Sequence, residues 1–344
     1  MSKIGGYGVL SIEVSKAPEW IIWLVTPYCN LRCFHCYASI YGSDKQLGYK
    51  DIVRVLEDAF ENGVEHINYT GGEPILRRDI LDILEATVEI GLTTSLFTNS
   101  TLVNDTVASR ISRLEIPIYT SLDAPCKSLF EEIRGVGSWD KTMHGIKTLK
   151  SHGVYLHINM TVTRLNYIVT SDTIRKALEL GADSISIIPS MPSGRALENR
   201  MYVEKREFLE ALSQAEETAR EYGVEIAVWC TPYIPLLEWA RHLHSGNCRY
   251  WNVMDLAPNG DVLLCDVLGV RVSNVLVDGV DGAWRKLLEH PVMKKTMDIP
   301  VECSGCSIAS YCRGGCFARS YIVRGGVDRR DPLCPVDRDR FGNI

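Results

Sequence analysis

Three cysteines, Cys29, Cys33 and Cys36, fall inside the stretch CNLRCFHC, directly behind the apolar run from Ile21 to Thr26. Thiols this close can share one inorganic centre, and their number decides which. A structural zinc site closes its tetrahedron with four protein ligands. Near these cysteines only His35 could add one, and as the immediate neighbour of Cys36 it has difficulty reaching the same tetrahedron. An iron–sulfur cube accepts three thiolates and leaves its fourth iron open to a ligand that can also be a substrate. On that reading the missing thiol is the working feature.

The chain has 12 cysteines in 344 residues, and most of the others gather near its end. From Cys248 the spacing is C-x11-G-x4-C, through Gly260 to Cys265. A C-x2-C-x5-C-x3-C run then links Cys303, Cys306, Cys312 and Cys316, and Cys334 closes the series. A long chain without an export signal that groups its thiols in close sets points to metal or cluster ligation rather than disulfides. Two zinc ribbons would need eight ligands, and this tail offers seven cysteines. Cys126 stands apart from other thiols and is expected to be a small buried hydrophobe.

These residues need elements to position them. From about Glu19 to Ala227, apolar runs alternate with amphipathic ones in six units, which predicts repeated strand and helix pairs around a parallel sheet. Strands are expected at Ile21 to Thr26, His66 to Thr70, Thr93 to Thr98, Ile116 to Ser121, Tyr155 to Thr161 and Ser184 to Ile188. Between them run helices such as Asp79 to Ile90, with Ile80, Ile83, Leu84 and Val88 on one face and Gly91 as its stop. Another spans Glu204 to Tyr222, with Phe208, Leu212, Ala215 and Ala219 in helical step. In barrel-like α/β folds chemistry gathers at the C-terminal ends of the strands, which is where the cysteine loop falls. Beyond about Ser245 helical periodicity breaks into short pieces such as Asp281 to Glu289, as in a second, cluster-stapled domain.

Composition narrows the partners. Net charge is −6, the isoelectric point is near 5.8, and no basic run marks a phosphate-binding surface, which argues against nucleic acid. No apolar stretch reaches the ~20 residues of a membrane span, and MSKIGGYGVL lacks the layout of a signal peptide. A soluble, cytoplasmic protein is expected.

CNLRCFHC resembles the CxxxCxΦC hallmark of the radical S-adenosylmethionine (SAM) enzymes, with His35 at the usually aromatic position. What this resemblance implies is a partial (β/α)6 barrel whose cysteine loop holds a four-iron four-sulfur cluster. The open iron chelates SAM, and one electron from a donor such as ferredoxin or flavodoxin cleaves it to methionine and a 5′-deoxyadenosyl radical. Further segments match. YTGGEP resembles the family's GGEP, implying that Gly71, Gly72, Glu73 and Pro74 lie against the SAM methionine moiety, with Glu73 offering a carboxylate to its ammonium group. FTNST resembles the TNG segment, placing Asn99 near polar SAM atoms with Ser100 in the place of the usual glycine. SLDAP resembles SLDGP, so Ser121 is expected at the ribose or carboxylate, Asp123 in a loop-organising role, and Arg134 of EEIRG at the SAM carboxylate.

The tail is similar in its spacing to the SPASM extension of these enzymes, which implies two auxiliary four-iron four-sulfur clusters, three in all with the first. Cys303, Cys306, Cys312 and Cys334 are implied for one, and Cys248, Cys265 and Cys316 for the other. The second set again stops at three. It could be open, completed by a histidine near His242 and His244, or completed by Cys230. Asp266, directly after Cys265, matches the position proposed as a general base in sulfatase maturases. The domain reading is an N-terminal extension over 1–18, the barrel over 19–227, a linker over 228–247 and the SPASM domain over 248–344.

SPASM proteins mostly take hydrogen from a peptide or protein side chain, so a maturase acting on such a substrate is the first expectation. The alternative is a tetrapyrrole-modifying enzyme of haem formation, of decarboxylase or deacetylase type. PSMPSGRA, with Arg195 as a candidate for a substrate carboxylate or a helix-start salt bridge, is similar to segments of both branches. Only about twenty residues precede the first strand, too few for the peptide-recognition domain of many peptide maturases, so barrel, tail or a partner protein would have to recognise a peptide.

Overall fold

A computed structural model describes residues 17–250 and 252–336. All but the last two residues of the expected N-terminal extension, 1–18, lie outside the described residues.

Strands β1 (Trp20–Thr26), β2 (His66–Gly71), β3 (Thr93–Thr98), β4 (Ile118–Ser121), β5 (Leu156–Val162), β6 (Ser184–Pro189), β7 (Ile226–Val228) and β8 (Leu243–His244) lie side by side in chain order, every pair parallel. The six expected strands are all there, displaced by no more than two residues at either end. The main helices between them are α1 (Tyr49–Glu61), α2 (Ile80–Ile90), α3 (Asp105–Arg113), α4 (Lys127–Arg134), α5 (Ser138–Ser151), α6 (Thr170–Glu179), the single turn α7 (Arg195–Glu198) and α8 (Lys205–Tyr222). This is the α/β, partial-barrel architecture expected.

Period-two alternation explains how the sheet divides its faces. In β2, Ile67 and Tyr69 are fully buried in the main apolar core with Ile52, Leu56 and Ile83 of the helices. His66, Asn68 and Thr70 point to the other face. Helix α2 buries Ile80, Ile83 and Leu84 as its periodicity requires, while Val88 turns to solvent at the rim. It stops at Gly91, whose φ of +105° suits a residue without a side chain. A capping box between Glu204 and Glu207 starts α8, which buries all four of its expected apolar positions.

The tail does not stand off as a separate layer. β9 (Val253–Leu256) pairs in parallel with β1, opposite Trp20 to Trp23, and β10 (Asp261–Leu263) and β11 (Arg271–Asn274) follow antiparallel. One sheet therefore runs β11-β10-β9-β1 and on to β8, and residues 228–247, expected as a linker, supply its far edge strand. α9 (Val275–Glu289) begins earlier than the predicted Asp281 and bends at Gly279 (φ +67°), where Asp58 of α1 accepts the Val280 N–H at 2.7 Å. No helix among the described residues is long and apolar enough to cross a membrane.

Candidate active site

Parallel strands send their loops to one edge of the sheet, and every segment singled out in the barrel meets there. The cysteine loop leaves β1 at Thr26 and immediately runs against the end of β2. Gly72 N–H donates to the Thr26 carbonyl at 2.8 Å and Glu73 N–H to the Tyr28 carbonyl at 2.8 Å. A Cβ on Gly72 would overlap the Tyr28 oxygen, and one on Gly71 (φ +124°) would stand 2.5 Å from the Thr26 oxygen. The two glycines thus admit a close backbone approach, and the backbone they admit is that of the cysteine loop. Cys29 is exposed at the rim, Cys36 half-buried and Cys33 buried, with its thiol pushed up to about 12 by desolvation.

Glu73 is fully buried and its carboxylate is largely engaged within the fold. Oε1 accepts from Ile75 N–H at 3.0 Å and from the Thr98 hydroxyl at 2.6 Å, and Oε2 from Asn99 N–H at 2.7 Å. Burial raises its pKa even against these three donors. The carboxylate expected to face an ammonium group therefore also ties β2 to β3. Asn99 sits beside the first thiol, its amide donating to Asn30 at 3.0 Å and lying 3.9 Å from Cys29 Sγ. Ser100, at the family's glycine position, holds φ +59° and bonds Thr120 at 2.7 Å. The left-handed conformation that calls for glycine is kept, with a buried hydroxyl pair offsetting its cost.

Asp123 is fully buried and does more than shape its own loop. Oδ2 accepts from Arg134 Nε at 2.5 Å and lies 3.4 Å from His35 Nε2, while Oδ1 accepts Thr161 N–H at 2.9 Å. Arg134 is thus in a buried pair, and its carbonyl lies 3.9 Å from the Cys33 thiol. His35 is drawn down to about 4 by desolvation, so its ring is neutral, and its buried Nδ1 has no hydrogen-bond partner among the described residues. Ser121 ends β4, half-buried on the same edge.

Of the two roles expected of Arg195, the helix-start salt bridge does not form among the described residues. Its Nε donates to the Cys33 carbonyl at 2.9 Å and its N–H to the Cys36 carbonyl at 3.1 Å. Gly194 makes room, since a Cβ there would lie 2.8 Å from the Cys36 oxygen. The PSGR turn after β6 is a brace across the cysteine loop. Cys126, expected buried, is exposed: it precedes α4 at a surface turn, 3.5 Å from the Ser128 hydroxyl.

The tail reaches this edge through Asp266. The Tyr37 hydroxyl donates to its Oδ2 at 2.6 Å and the Tyr41 hydroxyl to its carbonyl at 2.6 Å, while Asp255 accepts its N–H at 2.9 Å. Burial and mutual repulsion hold Asp255 well above the usual carboxylate range, and burial raises Asp266 as well. Asp255 and Tyr37 escaped the sequence reading, although a lone acid in the strand VMDL and a tyrosine directly after Cys36 were available signals. Deeper in the tail, Cys303 lies in the electrostatic field of Cys334 and Cys306, and Cys312 in that of Cys334 and Cys303.

The thiols fit clusters better than single ions. Tetrahedral zinc–sulfur bonds of ~2.3 Å bring sulfurs within ~4 Å of one another. Among the described residues no three thiols come within 4.8 Å; the sole close trio is Asp255, Cys265 and Asp266.

Below this edge, the sheet face turned away from the helices is polar and aromatic. His66 bonds Thr93 and Ser95, and His157 bonds Ser184 at 2.7 Å and Ser186 at 2.6 Å. Phe97 stacks on Tyr119 at 4.6 Å, and His157 on Trp229 at 5.4 Å. A face of this kind suits an organic substrate better than a packed barrel centre would.

Residues 23–177 match the Radical SAM superfamily. The chain carries a radical SAM domain and is an enzyme; a four-iron four-sulfur cluster and SAM are the cofactors of that superfamily, and the cysteine loop and its surroundings fit both. More narrowly, the chain is similar over 93% of its length to the AdoMet-dependent heme synthase of Oleidesulfovibrio alaskensis, 27% identical and covering 88% of that protein. The PqqA peptide cyclase of Granulibacter bethesdensis is 24% identical over 93% of this chain and 88% of its own. Among solved structures, Streptococcus suis SuiB bound to S-adenosylmethionine shares the fold, with a TM-score of 0.73 at 19% identity over 93% of this chain and 78% of that one.

Proposed function

We propose that the protein is a radical SAM maturase that takes hydrogen from a peptide or protein side chain. The observation that carries this reading is the meeting of a three-thiol loop, the GGEP turn and the Arg134–Asp123 pair on one sheet edge above a polar and aromatic face. Cys29, Cys33 and Cys36 would hold the cluster, with Gly71, Gly72, Glu73, Pro74, Asn99, Ser121, Arg134 and His35 around SAM. When bound, these groups supply a one-electron cleavage of the sulfonium and a carbon radical able to remove hydrogen. Asp266, steadied by Tyr37, serves as proton acceptor for the substrate side chain. In the tail, Cys303, Cys306, Cys312 and Cys334 would hold one auxiliary cluster, and Cys248, Cys265 and Cys316 contribute to a second, in the manner of a SPASM domain over 248–344 behind a barrel over 19–227. The electron comes from a donor of ferredoxin or flavodoxin type, in a reducing cytoplasm where thiols stay available to iron.

A second reading, modification of a tetrapyrrole, is favoured by the similarity to a heme synthase over nearly the whole chain. The common premise is tested by anaerobic reconstitution with iron and sulfide, then SAM and dithionite: 5′-deoxyadenosine should form, and Cys33→Ala should abolish it. Iron near ~12 per chain is expected, and a value near ~4 would remove the auxiliary clusters. The readings part when a precursor peptide encoded beside the gene and an iron-containing tetrapyrrole are each supplied. Whichever accelerates 5′-deoxyadenosine release and changes mass is the substrate.

A further inference from the structure

The tail set of Cys248, Cys265 and Cys316 is one thiol short, and the sequence leaves three ways to meet that: an open iron, a histidine, or Cys230. We infer that Cys230 is its fourth ligand, so that this seat is made of four cysteines and leaves no iron open to a substrate. The inference rests on the auxiliary-cluster reading above and adds a residue from outside the tail, two positions beyond the end of β7.

The histidines are held elsewhere. His242 gives its Nδ1 to Glu216 Oε1 at 2.8 Å, and its N–H to Oε2 of the same carboxylate at 2.8 Å. His244 lies on the edge strand β8, with its side chain 59% exposed and paired with Glu225. Both belong to the outer rim of the sheet.

Cys230 faces inward. It packs in one small apolar cluster with Cys265, Cys316, Met191 and Phe317, and its electrostatic neighbours are Cys316, Cys248 and Cys265. Its backbone is fixed to the same frame as that of Cys316. Arg319 Nη2 donates to the Cys230 carbonyl at 2.9 Å and to Asp331 Oδ2 at 2.6 Å, and that oxygen also accepts Cys316 N–H at 2.8 Å. Arg319 is 2% exposed, so a buried cation stands beside thiolates whose combined charge would otherwise be costly to bury.

The backbone at Cys230 carries the second mark. Its φ of +54° is left-handed, a conformation a cysteine adopts at a cost and keeps only where the surroundings hold it. The turn reverses the chain directly after Trp229, whose ring lies on the polar and aromatic face, and sends the next side chain toward the tail thiols. The Cys230 and Cys316 thiols lie within hydrogen-bonding reach of each other, and no third thiol of the four joins them within 4.8 Å.

The test uses the full chain with Cys29, Cys33 and Cys36 all changed to alanine, so that only tail clusters remain, reconstituted anaerobically and read by iron content and by electron paramagnetic resonance after dithionite. Cys230→Ala is expected to lose between ~1 and ~4 of the ~8 irons per chain, and any iron kept should give a spectrum that shifts on adding cyanide. Cys230→Ser, close in size and able to bind through oxygen, should keep more iron but alter the spectrum. His242→Ala and Cys126→Ala should change neither reading. Circular dichroism of each apoprotein separates loss of a ligand from loss of fold. If Cys230→Ala and Cys230→Ser both match the parent in iron, spectrum and indifference to cyanide, the assignment is overturned while the auxiliary-cluster reading stands. If the parent itself holds no iron, that reading falls and this one with it.

Discussion

The Tyr37 hydroxyl donates to Asp266 Oδ2 across 2.6 Å, joining the residue after the third cysteine of the CNLRCFHC loop to the residue after the second tail cysteine. One hydrogen bond therefore ties the loop read as the SAM-cluster seat to the loop read as part of an auxiliary seat. Tyr37→Phe should remove it and leave a buried carboxylate oxygen short of a donor. A loss of about 1–3 kcal/mol is expected, seen as an earlier midpoint in urea, while Tyr41→Phe, which frees a carbonyl of the same residue, should cost less.

Gly72 allows β2 to run against the cysteine loop. Gly72→Ala would drive a methyl group into the Tyr28 carbonyl oxygen, a backbone atom that cannot swing away. The loop must then shift, so reconstituted iron should fall by about four per chain while the tail keeps its share. Full iron in this variant would mean that the close approach is not needed for the cluster seat.

Glu73 separates a structural role from a ligand role. Its three donors come from Ile75, Thr98 and Asn99. Glu73→Gln would turn an amide donor toward at least one of them, and the apoprotein without SAM should lose about 1–3 kcal/mol. If Glu73→Gln leaves apoprotein stability unchanged and weakens only SAM binding, the carboxylate serves the ligand and not the fold.

His157 predicts an acid sensitivity. Desolvation lowers its pKa from 6.5 to about 4. As pH falls through 6.5 the unfolded chain takes up the proton first, so stability present above pH 6.5 drains away and is fully lost below pH 4. The size is about 3 kcal/mol from this residue, and His157→Gln should flatten the stability profile between pH 4 and 6.5. An unchanged slope would remove His157 as its source.

The barrel strands were legible because period-two runs and glycine stops are local signals, and local signals survive in a single sequence. The polar aromatic face was not. His66, Ser95, Asn159 and Ser186 are scattered over four strands, and only their register sets them opposite one another.

The sequence by itself determined the chemistry on offer. The thiol spacing, the GGEP turn and their places after β1 and β2 follow from covalent order, and parallel strands must deliver such loops to one edge. Tertiary structure decided what each group is free to do. It engaged Glu73 in tying β2 to β3 and Arg195 in holding the cysteine loop, set Asp255 beside Asp266, joined the tail to β1, and brought Cys230 to Cys316 across 86 positions of chain. Such pairings depend on packing between distant segments and on which polar groups find partners once buried, and residue spacing along the chain encodes neither.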